Sequence, residues 1–380
     1  MYQEVEKLLL NLLKFDTANF DDCPSGYTID LLKFLQNRFL RKGIFCQLMP
    51  YSLSKRFSDG ETNLNQRANL IAYADKKKPF FLLQGHVDTV PYNFKKWAHN
   101  PLGEKIKNEI YGRGAVDMKG PITAMILAFE KLVFEKHLKY SPMLLLTSDE
   151  EANNFAGIKY FLKNNKKKIT FAISGEPTNF KIITGLYGAV YLIIKTFGKE
   201  KHSSYNSENA IENMIIILKH LLERKNSIAN IKNKNLGKSI LNLGVIRGGI
   251  KVNQVPGECT IELALRIVEN SSCYLKALKQ ILSPTGIDYK IEVVFKYNPV
   301  IFPKYHPLIK HLKLVLEKQK LPIKLSQKVE LTEATFLNNA GIPAAVFGPG
   351  DETLAHTEGQ EKISIKDILK AKEIYINLYR

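Results

Sequence analysis

The segment Gly85-His86-Val87-Asp88-Thr89-Val90-Pro91 sets an imidazole and a carboxylate two residues apart, directly after the apolar run Phe80-Phe81-Leu82-Leu83. In an extended chain, residues i and i+2 face the same way. His86 and Asp88 can therefore converge just past a strand end, where open α/β sheets bind ligands. A histidine in that place is by itself more often a hydrogen-bonded loop residue than a ligand. Three further acid-bearing segments occupy equivalent places. Asp117 sits in Gly112-Arg113-Gly114-Ala115-Val116-Asp117-Met118-Lys119-Gly120, Asp149-Glu150-Glu151 follows Met143-Leu144-Leu145-Leu146, and Gly175-Glu176-Pro177 follows Ile169-Thr170-Phe171-Ala172-Ile173. His356 comes after a last apolar run, Ala344-Ala345-Val346-Phe347. Acids gathered at one sheet edge repel each other unless a cation neutralises them. The set His86, Asp117, Glu151, Glu176 and His356 offers nitrogen and oxygen donors and no sulfur, which suits zinc or another divalent first-row metal.

Such a site needs several strands ending at one edge, and the chain supplies short β runs alternating with helical stretches such as Ile122 to Phe134, the pattern of an α/β fold. Between Glu176 and Asn298-Pro299 the character changes. Residues 183 to 294 read as β-β-α-β-β-α-β and carry none of the candidate ligands. That is the pattern of an inserted ferredoxin-like α+β domain. The expected division is a first catalytic segment over 1–182, the insert over 183–294, and a second catalytic segment over 295–380. A closing helix is expected from Ser364 to Leu378.

The order and spacing of Gly-His-Val-Asp-Thr-Val-Pro, Gly-Arg-Gly-Ala-Val-Asp-Met-Lys-Gly, Asp-Glu-Glu, Gly-Glu-Pro-Thr and Ala-His-Thr resemble the M20 family of co-catalytic zinc amidohydrolases, in its acetylornithine deacetylase and succinyl-diaminopimelate desuccinylase group. The resemblance implies a zinc-exopeptidase-like catalytic domain, with a mixed sheet flanked by helices, and an inserted domain serving as dimerisation and lid module. It implies two zinc ions, with cobalt able to substitute: Asp117 bridges them, His86 and Glu176 hold one, and Glu151 and His356 hold the other. Asp88 would orient His86, because a ligating imidazole needs its other nitrogen held, and Glu150 would be the general base. In the insert, the same resemblance implies that His202 reaches a partner's active site and donates to the oxyanion. Arg266, helped by Asn253, would grip the substrate's α-carboxylate, a task that suits the guanidinium fork. A homodimer joined through this domain follows.

Composition excludes other classes. The formal charge of +18 raises the possibility of nucleic-acid or membrane-surface binding. Yet the lysines are scattered through Lys-Asn-Ile-rich stretches, with no nucleic-acid motif or aromatic interleaving. A basic nucleic-acid binder or a catalytically dead relative is the non-enzyme alternative. The opening Met1-Tyr2-Gln3-Glu4-Val5-Glu6 is no signal peptide, and no apolar run is long enough for a membrane span. Cys23, Cys46, Cys259 and Cys273 show no paired spacing, as expected of free thiols in a reducing cytosol.

For substrate, Leu331-Thr332-Glu333-Ala334, Gly348-Pro349-Gly350 and Asn209-Ala210-Ile211-Glu212 resemble acetylornithine deacetylases, and Asp149-Glu150-Glu151-Ala152-Asn153 is similar to acetylcitrulline deacetylases. The expectation is a small N-acyl amino acid, N2-acetyl-L-ornithine first. N-succinyl-L,L-diaminopimelate is the alternative. Glu333, read as lying between a strand-like Gln327 to Leu331 and a helix, is a candidate for sensing the distal amine of the substrate or else an ordinary first-turn helix acid. Gln360 stands where the family commonly has a glutamate, with Glu361 next, which puts the contacts around His356 in question.

Overall fold

Phe80–His86 is an apolar strand buried along its whole length. It pairs in parallel with Ser141–Thr147 on one side and Ile169–Ser174 on the other. Strands buried on both faces read as continuous apolar runs rather than alternating ones, and Ser141–Thr147 has the same character. The computed structural model describes residues 1–19, 27–52, 67–151, 155–303 and 305–380, so Cys23, Ala152 and Asn153 lie outside the described residues. The chain divides into two compact units, Met1–Thr184 with Phe302–Ser326 and Thr332–Arg380, and Gly185–Ile301 with Gln327–Leu331.

The first unit is built on a mixed sheet in the order Cys46–Tyr51, Arg67–Tyr73, Ser141–Thr147, Phe80–His86, Ile169–Ser174, Ala344–Val346. The first two strands run antiparallel to their neighbours, whereas Ala344–Val346 pairs in parallel with Ile169–Ser174. Four parallel strands thus end together at His86, Thr147, Ser174 and Val346. Helix Gly120–Phe134 is buried over most of its length, with Pro121 in its first turn, where a missing N–H costs nothing. Helix Ile365–Asn377 packs on it, and the segment is tied to the sheet by Tyr375 Oη donating to the Phe347 carbonyl at 3.1 Å and Tyr379 Oη donating to that of Phe81 at 2.8 Å.

In the second unit, strands Ile240–Gly248, Glu258–Ile267, Gly188–Phe197 and Tyr289–Tyr297 form an antiparallel sheet in that order. Helices Ala210–Glu223 and Ser271–Leu282 bury Met214, Ile217, Tyr274 and Leu278 in a core with the strands. This unit runs past residue 294, because Tyr289–Tyr297 continues its ladder and Val300–Ile301 pairs with Gly185 and Leu186. The strand expected at Gln327–Leu331 spans Leu325–Lys328 instead. Backbone bonds fix that register, Ile182 N to the Lys324 carbonyl at 2.8 Å and Tyr187 N to that of Lys328 at 3.0 Å. Among the described residues, no helix is long and apolar enough to cross a membrane.

Candidate metal centre

The parallel strand ends of the first unit bring the candidate ligands together. His86 Nε2 stands 3.2 Å from Asp117 Oδ1, and His356 Nε2 stands 3.1 Å from Asp117 Oδ2 and 3.0 Å from Glu151 Oε1. His86, Asp117 and Glu151 can place one ligand atom each within 4.8 Å of one another. The Asp117 carboxylate therefore turns one oxygen to each imidazole. Glu176 is buried just past Ser174, close enough for its charge to act on Glu150. Glu150 is half-buried beside Glu151 in the turn that follows Ser141–Thr147.

Backbone and buried polar groups hold these side chains. His86 Nδ1 lies 2.9 Å from the Asp88 carbonyl oxygen and 3.6 Å from its carboxylate, beyond hydrogen-bond reach. The shorter contact that orients the ring is thus with the Asp88 main chain. Its carboxylate instead accepts from the Glu151 backbone N at 3.0 Å and from Asn19 Nδ2 at 3.1 Å. Asn19 in turn accepts from Arg67 Nη2 at 2.9 Å. Arg67 Nε is 3.2 Å from Asp149 Oδ1, an ion pair with both side chains about 1% exposed, and Tyr51 Oη donates to Asp149 Oδ2 at 2.8 Å. Asp149, at φ 69°, occupies the left-handed region. That conformation is uncommon outside glycine, although Asp and Asn tolerate it best. The network therefore pins the turn that presents Glu150 and Glu151.

The Asp117 segment hangs on Glu361. Its Oε1 accepts from the backbone N of Gly114, Val116 and Asp117 at 2.9, 3.1 and 3.1 Å, and its Oε2 accepts from Arg113 Nη1 at 2.6 Å. Arg113 Nη2 reaches the His356 carbonyl at 3.4 Å. Gly114 has φ 85°, and a Cβ there would press Thr89 Cγ2 at 2.6 Å, so only glycine lets this turn close. Gln360 is exposed. The question it raised is answered by its neighbour, since Glu361 supplies the buried carboxylate. Nothing in the sequence marked Asn19, Tyr51 or Arg67 individually, Glu361 was noted only as the neighbour of Gln360, and their partners lie up to 248 residues away.

The electrostatics are those of a site short of positive charge. Burial, followed by repulsion from Glu176, Glu151 and Asp117, pushes the Glu150 carboxyl well above the ordinary range. Burial and Asp117 push Glu151 up as well. Burial opposes ionisation of Asp117, yet bonds to His356 and His86 hold it well below the usual carboxylate range. The His356 imidazole is driven up to about 10, first by its bond to Asp117 and then by that to Glu151. The donor set fits divalent cations: imidazoles and carboxylates crowd one point, and cationic charge is what the acids lack.

The other candidates fall elsewhere. Glu333 is fully buried; Thr147 Oγ1 lies 2.6 Å from its Oε2, and Gln84 Nε2 also bonds that oxygen. Burial raises its carboxyl to about 8. Glu333 opens helix Glu333–Asn339, the first-turn position of its alternative reading, with its side chain closed off from solvent. In the second unit, exposed His202 bonds Ser204 Oγ at 2.8 Å and bridges to Gln254, with Ser203 N donating to the Asn253 carbonyl at 3.0 Å. Half-buried Arg266 lies 5.9 Å from the Tyr191 ring centroid, near the far end of Glu258–Ile267. The eight residue steps from Glu258 to Arg266 span roughly 27 Å of strand. Within one chain, then, Asn253 and Arg266 do not share a carboxylate.

An α/β sheet whose strand ends gather imidazoles and carboxylates is the frame of an enzyme that hydrolyses amide bonds. The chain belongs to peptidase family M20/M25/M40, whose model matches residues 82–380. It is 31% identical to a [LysW]-lysine/[LysW]-ornithine hydrolase of Sulfurisphaera tokodaii over 340 residues, 86% of this chain and 90% of that protein. It is 30% identical to an acetylornithine deacetylase of Buchnera aphidicola over 327 residues, 82% of this chain and 83% of that one. Among solved structures, an M20 family metallo-carboxypeptidase from Sulfolobus solfataricus shares the fold with a TM-score of 0.74 at 19% identity, covering 100% of this chain and 98% of that one.

Proposed function

We propose that this protein removes the acyl group from the amine of a small N-acyl amino acid, N2-acetyl-L-ornithine first, using two zinc ions held by His86, Asp117, Glu151, Glu176 and His356. The observation that carries this reading is the Asp117 carboxylate, with one oxygen on each imidazole, a disposition suited to bridging two cations. When bound, such cations lower the pKa of water and polarise a carbonyl. Glu150 takes the proton of the attacking water and hands it to the departing amine, which leaves protonated. Burial and neighbouring acids raise the Glu150 carboxyl, which brings its proton affinity toward that task. Glu151 holds metal while its neighbour moves the proton, and Asp88 fixes both His86 and the Glu151 main chain. Relatives named for acetylornithine and for [LysW]-lysine or [LysW]-ornithine support a basic amino acid as the released product.

His202 is assigned as an oxyanion donor lent by the second subunit of a homodimer, with Asn253 and Arg266 reading substrate from different subunits. The length of strand Glu258–Ile267, with Asn253 in the turn before it and Arg266 near its end, supports that division. The test is metal analysis with a ninhydrin assay on acetylornithine, acetylcitrulline and succinyl-diaminopimelate, with and without chelator. Chelator-sensitive release of ornithine is the expected result. A metal-free protein inert on all three, or a fully active monomer, would refute the corresponding part.

A further inference from the structure

Glu333 stands where a carboxyl is a costly choice. It is closed off from solvent, no salt bridge to it occurs among the described residues, and burying such a group is unfavourable unless its bonds have a use. Those bonds run to two places. Gln84 Nε2 donates to Oε2, and Thr147 Oγ1 lies 2.6 Å from the same oxygen. Thr147 Oγ1 also lies 3.2 Å from the Gly85 carbonyl and 3.4 Å from Gln84 Nε2. Gln84, Thr147 and Glu333 therefore close a triangle across two adjacent strands. His86 and Thr147 are ladder partners, and the last bond of this ladder is Val87 N to the Thr147 carbonyl at 2.9 Å. Beyond it the two chains separate, one carrying His86 and Asp88, the other Asp149, Glu150 and Glu151.

We propose that Glu333 is a positioning residue whose buried carboxyl locks these two strand ends where they diverge, and so sets the placing of His86 relative to Glu150 and Glu151. This rests on the metal-centre reading above. It touches neither substrate nor reacting atoms. Glutamine at this position keeps an oxygen for both contacts, and its amide nitrogen takes the place of Oε1, an atom with no hydrogen bond to lose among the described residues. Leucine fills a similar volume and makes neither contact.

The test compares E333L, E333Q and T147V with wild type. Its readouts are zinc affinity by competition with a chromogenic chelator, kcat and KM on acetylornithine and on a neutral N-acetyl amino acid, and the unfolding midpoint. E333L is expected to weaken zinc binding and lower kcat by about 10–100-fold, the usual consequence of losing support behind metal ligands, with KM little changed. E333Q should restore both, and T147V should fall between. If E333L does not fold, T147V carries the decision: zinc affinity equal to wild type overturns the lock. So does an E333L that folds and keeps wild-type affinity and kcat. Selective loss of the charged substrate by E333Q would instead make Glu333 a substrate reader. A wild type that binds zinc but cleaves no N-acyl substrate sinks the proposed activity and leaves the lock to be judged on affinity.

Discussion

Substituting Glu361 by glutamine removes the charge from the group that ties the Asp117 segment to the His356 loop. The carboxylate and its partner Arg113 are 0% and 3% exposed, so solvent neither screens the pair nor replaces a lost partner. The glutamine oxygen can still accept from Gly114, Val116 and Asp117, but its NH2 then faces the Arg113 guanidinium, donor against donor. Stripping one member from a buried ion pair costs about 3–5 kcal/mol, because the remaining charge is left uncompensated. Urea denaturation of E361Q should show a loss of that size. Zinc affinity should drop about 10–100-fold, as expected when support behind a ligand is removed, since both Asp117 N and the His356 carbonyl hang on this pair. Q360A is the control: its side chain is exposed, and its stability should stay within about 0.5 kcal/mol of wild type. An E361Q protein within about 1 kcal/mol of wild type, with unchanged zinc affinity, would show that the buried pair does not carry the loop.

Glu150→Gln should cut kcat by about 100- to 10,000-fold, the range typical of a lost general base, while retaining zinc; an equal loss of metal would reassign Glu150 to the ligand set. Arg67→Met should destabilise by about 3–5 kcal/mol by leaving Asp149 buried without its cation, and R67M/D149N should recover part of this in urea melts. Additive losses in the double variant would argue that the two do not act as a pair. Glu333 gives a pH signature: its folded pKa of about 8 lies above the ordinary 4.5, so the folded state keeps a proton that the unfolded chain releases between them. Its contribution is complete below pH 4.5 and lost as pH rises through about 8, with a slope of at most about 1.4 kcal/mol per pH unit. Melts of chelator-treated protein at several pH values should show E333Q lacking that slope, and an identical slope in both proteins would refute the assignment.

Among the candidate ligands, His86, Glu151 and Glu176 stood out because each closes or follows an apolar run that forms a strand of the sheet, and a carboxylate at such an end has few uses besides binding a cation. The inserted domain was legible as a block of different periodicity without ligands. Asn19, Arg67 and Tyr51 were not, since an asparagine, an arginine and a tyrosine scattered along a chain are ordinary until they close on Asp149 and Asp88. Glu333 was placed correctly at a helix start, but its burial was not legible, since a threonine-glutamate pair at a helix start looks the same whether the carboxyl faces water or protein.

Sequence by itself marked side chains able to bind metal, proposed Glu150 as the proton-handling glutamate, and showed that the chain changes character after Glu176, because residue type and strand or helix period are local properties. Tertiary structure alone decided what holds those groups in place. The main-chain carbonyl of Asp88 lies closer to His86 than its carboxylate does, Glu361 rather than Gln360 anchors Asp117, and Asn253 lies in the turn before strand Glu258–Ile267 while Arg266 lies near that strand's far end. Those outcomes depend on distances between residues remote in the chain, set by how strands pair and helices pack.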